Sequence, residues 1–369
     1  MLEIMFPLLL VLLASVFQGT FGLGMKYTKP LAWEAWWLVH VTIAMVIFPG
    51  IWALIVVPDL FTVIANAPAS AIQEGALYGF LWGIGGIMFG VCVPYIGVAL
   101  TMGIVMGLAA LMGSLIPLML LDNMAANPAI PFIITGMVIM LVAVGIVAKA
   151  GISRDKVLAE SGAEIAGIKT GSAFKKGLMI AIACGILSSL LNVGFSATEA
   201  IGSAAEEAGA ITRNTALARW VVVLIGAYAM NAGFAVFLLF KNKTWNSFAV
   251  AESAKAYKWA VIAGLLWFAA LGVYGQGAAL MGDIGPVIGW PMLLGLALII
   301  STVIGIYTGE WKGAPGPFKT MATGVAILIC AICLLGYSNS IEQPQATVAD
   351  ADAHSQLDIF KVNTSYLNR

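Results

Sequence analysis

The chain reads as an all-α polytopic membrane protein, with ten transmembrane helices forming two inverted five-helix repeats. Three observations predict this. Of 369 residues, 61% are apolar and 10% charged, with a mean hydropathy of +0.99. The apolar residues fall into ten runs, each near the ~20 residues a helix needs to cross a bilayer core. Small matching patches also recur at a nearly constant offset between the two halves. A soluble domain carries about 25% charged residues, so this chain has too few to coat a water-facing surface. The same numbers exclude a disordered chain. Eighteen basic and 18 acidic residues leave no net field, so nucleic acid is not an expected partner.

The predicted spans are 4–24, 33–57, 72–92, 94–120, 130–149, 175–197, 216–240, 258–279, 285–308 and 319–338. The first has Glu3 and no basic residue ahead of it, unlike a cleavable signal. The third and fourth nearly fuse, as do the eighth and ninth, so those turns are short. Pro94, and Gly285-Pro286 with Pro291, mark expected backbone breaks. The third and fourth spans are rich in glycine (Gly79, Gly83, Gly85, Gly86, Gly90, Gly97, Gly103, Gly107 and Gly113), which lets helices approach closely in lipid. All four cysteines, Cys92, Cys184, Cys330 and Cys333, lie in apolar runs. They read as small hydrophobes rather than disulfide partners or metal ligands, and no metal site is expected. Residues 339–369 are polar and read as a disordered or surface tail.

Basic residues fix an expected orientation. Lys26, Lys29, Lys149, Arg154, Lys156, Lys169, Lys175, Lys176, Lys241, Lys243, Lys255, Lys258, Lys312 and Lys319 fall on odd-numbered connections, against Arg213, Arg219, Lys361 and Arg369 on the other side. The positive-inside rule then places both termini outside the cytoplasm.

The polar stretch 150–173 divides the spans five and five: 1–149 as the first repeat, 150–173 as a cytoplasmic linker, 174–338 as the second repeat and 339–369 as the tail. Five is odd, so similar halves insert with opposite orientation, as in many carriers. Gly79-Phe80-Leu81-Trp82 recurs as Gly264-Leu265-Leu266-Trp267 at offset 185, with Gly90 and Gly97 meeting Gly275 and Gly282. Ser15 to Gln18 resembles Ser189 to Asn192 at offset 174, Phe21 meets Phe195, and Trp36 is aligned with Trp220 at 184.

Polar groups inside spans are costly unless they face the bundle or a cavity. The set is Gln18, His40, Asn192, Tyr228, Asn231, Tyr274 and Gln276. None carries a permanent charge, which suits a neutral polyol or sugar rather than a charged ligand. Gln18 and Asn192 occupy equivalent positions, pointing either to substrate contacts or to helix-to-helix hydrogen bonds. Trp82 and Trp267 offer ring faces for a sugar, or core packing. His40 is the one titratable group within a span, so it is a candidate proton site or a neutral histidine bonded to a neighbouring helix. Glu74 and Asp283, near span ends, could collect a coupling cation or stand as solvated charges.

Trp33-Glu34 with Trp37 and Pro49, Trp82-Gly83-Ile84-Gly85 with Gly90, Tyr95 and Gly97, and Lys176-Gly177-Leu178 with Cys184-Gly185-Ile186 resemble the bacterial L-rhamnose–proton symporter family. So do Gly264-Leu265 with Trp267 and Tyr274, and Trp290 with Gly305 and Glu310-Trp311. The resemblance spans roughly residues 5–338. It implies a ten-helix fold of the drug/metabolite transporter superfamily in the bacterial inner membrane, importing a sugar with a coupling cation. The family carries asparagines at the positions of Gly86 and Met88, a tyrosine at Phe89, an arginine at Pro94, a tryptophan at Gln276 and a glycine at His40. If those asparagines contact rhamnose, this chain handles a different or less polar ligand.

The expected function is therefore cation-coupled import of a rhamnose-like neutral monosaccharide by alternating access, driven by H+ or Na+ and needing no other cofactor. Gln18, Trp82, Tyr95, Asn192, Trp267, Tyr274 and Gln276 are the candidate substrate contacts; His40, Glu74 and Asp283 are the candidate ion sites. The alternatives are a metabolite exporter of the same superfamily and a non-transporting membrane receptor. Partners are the sugar and the bilayer, with a homodimer left open. No intramembrane acid pair, Ser/His/Asp set or metal cluster is present, so an enzyme is not expected.

Overall fold

Every backbone N–H and C=O in the hydrocarbon region has to be satisfied within the protein, which favours helices throughout. A computed structural model describes the backbone of residues 2–121, 127–160 and 171–366, and the side chains of 5–121, 127–160 and 171–341. Among the described residues, ten helical segments are long and apolar enough to cross a membrane. Span 1 is Met5–Tyr27, span 2 Trp33–Val56, span 3 Ala69–Ile96, span 4 Val98–Met119 and span 5 Ile130–Glu160. Span 6 is Gly171–Glu207, span 7 Thr212–Asn242, span 8 Ala254–Leu280, span 9 Gly282–Tyr307 and span 10 Pro315–Ile341. Among the described residues there is no strand.

Several ends differ from expectation. Pro94 and Pro291 lie inside helices rather than breaking them. The breaks fall at Gly97 and Gly282, with φ of +80° and +69°. Only glycine adopts that backbone readily, and the two positions are repeat equivalents. Span 5 continues to Glu160, into the stretch read as a linker, while 161–170, with Glu164 and Lys169, lie outside the described residues. The helix containing span 10 continues to Tyr366 instead of giving way to an irregular tail.

Span 2 is not uniform. It is α-helical over Trp33–Thr42, π-helical over Ile43–Ile47 and α-helical again over Phe48–Val56. Pro49 sits just past the π segment. Its missing N–H and its ring disturb the preceding turn, and the ladder absorbs this by slipping one residue, the N–H of Phe48 reaching the carbonyl of Ile43. Such π segments are frequent at functional sites.

The helix contacts come in matched sets. Span 3 packs on span 6 and span 8 on span 1; span 4 on span 6 and span 9 on span 1; span 3 on span 7 and span 8 on span 2. Spans 5 and 10, 2 and 7, and 4 and 9 pack on each other. Exchanging the first five spans for the last five maps this pattern onto itself, as an inverted duplication requires. Glycine makes the closest seams. A Cβ on Gly79 would overlap the Val223 carbonyl, and one on Gly264 would lie 2.8 Å from the His40 carbonyl. These two contacts set the register of spans 2 and 7. Since Gly79 corresponds to Gly264, Val223 corresponds to His40. Trp220 therefore pairs with Trp37, one residue on from the Trp36 of the sequence alignment.

One end of the bundle gathers the lysines. Glu310 lies 3.9 Å from Lys26 and 3.7 Å from Arg154, and Lys255 sits 4.7 Å over the Tyr27 ring. This is the lysine-rich end of the bundle.

Candidate functional site at the seam of the two halves

Trp82 on span 3 and Trp267 on span 8 meet with ring centroids 5.6 Å apart and planes tilted by 37°. Trp267 is buried and Trp82 half-buried. Equivalent residues that touch each other lie at the symmetry axis relating the halves, so this pair marks the centre of the bundle.

Away from the lysines, the seam is closed by hydrogen bonds and stacked rings, and the buried Trp220 indole N–H has no partner there. The Asn192 amide donates to the carbonyls of Gly113 (2.8 Å) and Pro286 (2.9 Å), and its oxygen accepts from the Tyr274 hydroxyl at 2.5 Å. The Trp290 indole donates to the Ala109 carbonyl at 3.0 Å. Phe195 and Trp220 stack at 4.6 Å. Asn192 and Tyr274 are fully buried, and both amide hydrogens of Asn192 are used. In this arrangement the two residues bond helix to helix and present nothing to a ligand.

Arg219 corrects the expectation that no span holds a permanent charge. It is 7% exposed, donates through Nε (3.0 Å) and Nη2 (2.6 Å) to the Phe195 carbonyl, and lies 3.9 Å over the Phe195 ring. Span 6 is interrupted at Thr198 between Gly171–Ala197 and Glu199–Glu207. Arg219 thus caps the carbonyl end of the longer helix, where a cation is favoured.

Towards the lysine-rich end lies a second set of polar and aromatic side chains. Gln18 is half-buried, and its enclosed Oε1 has no hydrogen-bond partner. The Trp37 indole donates to Asn231 Oδ1 at 3.3 Å, and the hydroxyls of Thr42 and Tyr228 lie 3.3 Å apart. His40 is buried, stacked 5.3 Å from Trp36, tilted 5.1 Å from Trp37 and 6.3 Å from Phe21. Its Nδ1 has no partner. Gly86 and Gly90, on the next turns of span 3 beyond Trp82, are exposed, and a Cβ on either would meet nothing within 4 Å.

The remaining candidates lie elsewhere. Tyr95 is thirteen residues along span 3 from Trp82, about 20 Å at 1.5 Å per residue, with the Lys176 ammonium 6.0 Å from its ring. Gln276 donates to Asn214 at 3.2 Å near the opposite end. Glu74 and Asp283 are exposed and outside the central cluster. Trp37 and Thr42 join the central cluster, although the sequence reading did not single them out as candidates. Their signal is the spacing of Trp33, Trp37 and His40, which puts three rings on one helical face. Among the described residues no group of acidic, histidine or cysteine side chains could hold a metal.

Comparison with known proteins fits this architecture. L-rhamnose-proton symporters from Citrobacter koseri and Escherichia coli are each 25% identical, over 334 and 335 residues, covering 88% of this chain and 95% of theirs. The homologous symporter of an Enterobacter strain is 25% identical over 334 residues with the same coverage. One solved crystal structure matches with a TM-score of 0.55 at 14% identity, covering 89% of this chain and 96% of that one, which shows a shared fold. The family described as L-rhamnose-proton symport protein matches residues 2–340. With this coverage, and with ten membrane-crossing helices around a seam of aromatic and uncharged polar groups, the chain belongs to the L-rhamnose-proton symport protein family and is a membrane transport protein rather than an enzyme.

Proposed function

We propose that the chain imports L-rhamnose, or a closely related neutral monosaccharide, together with a proton by alternating access across the bacterial inner membrane. The observation that carries this reading is the Trp82–Trp267 pair flanked by uncharged hydrogen-bonding groups. A pyranose has apolar C–H faces that pack on indole rings and hydroxyls that need donors and acceptors. Trp82, Trp267, Gln18, Trp37, Thr42, Tyr228 and Asn231 supply both. Asn192 and Tyr274 hold the far side of the site together instead of lining it. The positive-inside rule puts the lysine-rich end in the cytoplasm and both termini outside, so the half in which Gly86 and Gly90 border open space faces inward.

The proton reading rests on the family and on His40. This side chain lies between spans 2 and 8, beside the π segment, with Nδ1 available. Glu74 and Asp283, exposed at the other end, support it less. Gly86 leaves a smooth wall, which favours a sugar with few hydroxyls on that side. The test is uptake of radiolabelled monosaccharides by proteoliposomes under an imposed pH gradient. L-rhamnose accumulation that a protonophore abolishes supports the reading; no accumulation of any sugar under a verified gradient contradicts it.

A further inference from the structure

The two halves are built alike but packed differently, and the difference is confined to one end. Away from the lysines, Trp220 stacks on Phe195 and encloses Gly275, where an added Cβ would lie 2.5 Å from the Trp220 indole nitrogen. Asn192 is bonded to Tyr274. Spans 7 and 8, 6 and 7, and 6 and 9 are in contact there.

The repeat equivalents at the lysine-rich end are Trp37, Phe21, Gly90, Gln18 and Phe89. They do not make the matching set of contacts. Gly90 faces open space, and the Gln18 oxygen has no partner. Trp37 is held by Asn231 on span 7. Among the described residues, spans 2 and 3, 1 and 2, and 1 and 4 pack more sparsely than their equivalents, with the Phe21 and His40 rings 6.3 Å apart between spans 1 and 2.

A symmetric pair of halves with one end closed and the other open specifies its own second state, because the closed end is a template for the open one. We infer that the lysine-rich end closes when Trp37 leaves Asn231 and seats against Gly90 and Phe21, as Trp220 seats against Gly275 and Phe195. The π segment Ile43–Ile47 begins six residues after Trp37. It lies between the two α-helical parts of span 2 and is the place where the Trp33–Thr42 part can swing. The missing side chain of Gly90 is what this closure requires. The inference rests on the alternating-access reading above and assigns its inner gate.

The test uses the full chain in proteoliposomes. Gly90→Leu adds bulk where there is now open space, so the variant folds and binds L-rhamnose with a Kd within about threefold of the parent. Its uptake falls at least about tenfold, because the open state is favoured by that factor or more. A Gly90→Leu variant that transports at the parental rate overturns the gate, and so does a folded one that no longer binds. A second arm is independent of sugar and of the folding of that variant. In a chain whose four cysteines are replaced by serine, Trp37→Cys with Gly90→Cys forms a disulfide under mild oxidation, faster than Trp37→Cys with Pro94→Cys one turn further on. No disulfide, or no preference between the two, overturns the gate. If the parent neither binds nor transports L-rhamnose, the substrate reading fails and this arm alone decides the gate.

Discussion

The indole of Trp82 lies 5.6 Å from that of Trp267, and each is the other's counterpart in the opposite half. Two rings brought together across a pseudo-two-fold axis sit equally far from both ends of the bundle. That is where a carrier needs a surface reachable from either side in turn. Their contact also fixes the scale of the site, since a ligand inserted between them has to part the rings.

Trp82→Ala and Trp267→Ala each weaken L-rhamnose binding, by about two- to twelvefold if a ring–sugar contact is worth ~0.5–1.5 kcal/mol. Phenylalanine at either position restores most of the affinity. Isothermal titration of the purified variants checks this. Unchanged affinity in both alanine variants removes the pair from the site.

Gln18 and Asn192 are equivalent in sequence but respond differently to leucine. Asn192→Leu deprives two carbonyls and the Tyr274 hydroxyl of their buried partners, at a cost of about 2–4 kcal/mol, and lowers Tm. Gln18→Leu removes an oxygen that has no partner, so Tm holds while L-rhamnose affinity falls. Thermal unfolding and binding measured on both variants separate the two roles. Equal loss of stability contradicts the assignment.

Arg219→Leu removes the donors to the Phe195 carbonyl at the end of the longer helix of span 6, at a cost of about 2 kcal/mol. Arg219→Lys recovers part of this, since an ammonium can still cap the carbonyl but lacks the two-pronged geometry. Tm of the three proteins, ordered parent, lysine, leucine, is the expected result.

His40→Gln keeps a hydrogen-bonding side chain and loses the titratable one. Concentrative L-rhamnose uptake driven by a pH gradient is lost, while sugar exchange without a gradient persists. Gradient-driven accumulation at the parental level in His40→Gln excludes His40 as the proton site.

How much of this was legible in the sequence depended on scale. The ten spans follow from apolar runs, and the glycine seams from glycine clusters, because lipid imposes a strong filter on both. The register between the halves was off by one in spans 2 and 7. Trp36 and Trp37 are adjacent, so either can be aligned with Trp220, and only the seating of Gly79 and Gly264 on opposite backbones decides. Arg219 reads in the sequence as a connection charge because it lies within two turns of the start of span 7, where an arginine ordinarily reaches out to water. Its burial depends on the break at Thr198, which no local pattern announces. Asn192 was recognised as important, but its neighbours come from spans 4, 8 and 9, so bonding and binding could not be told apart from spacing. The open face at Gly90 is a property of one conformational state and has no sequence signature.

In the proposed cycle, sugar and proton move together through the seam between the halves. This coupling is tested most directly in a lightly buffered suspension of right-side-out membrane vesicles containing the protein, with a pH electrode in the medium. A pulse of L-rhamnose is predicted to make the medium transiently more alkaline as protons enter with the sugar, and a protonophore is predicted to erase the signal. L-rhamnose uptake with no accompanying pH change would show that the sugar crosses without a proton.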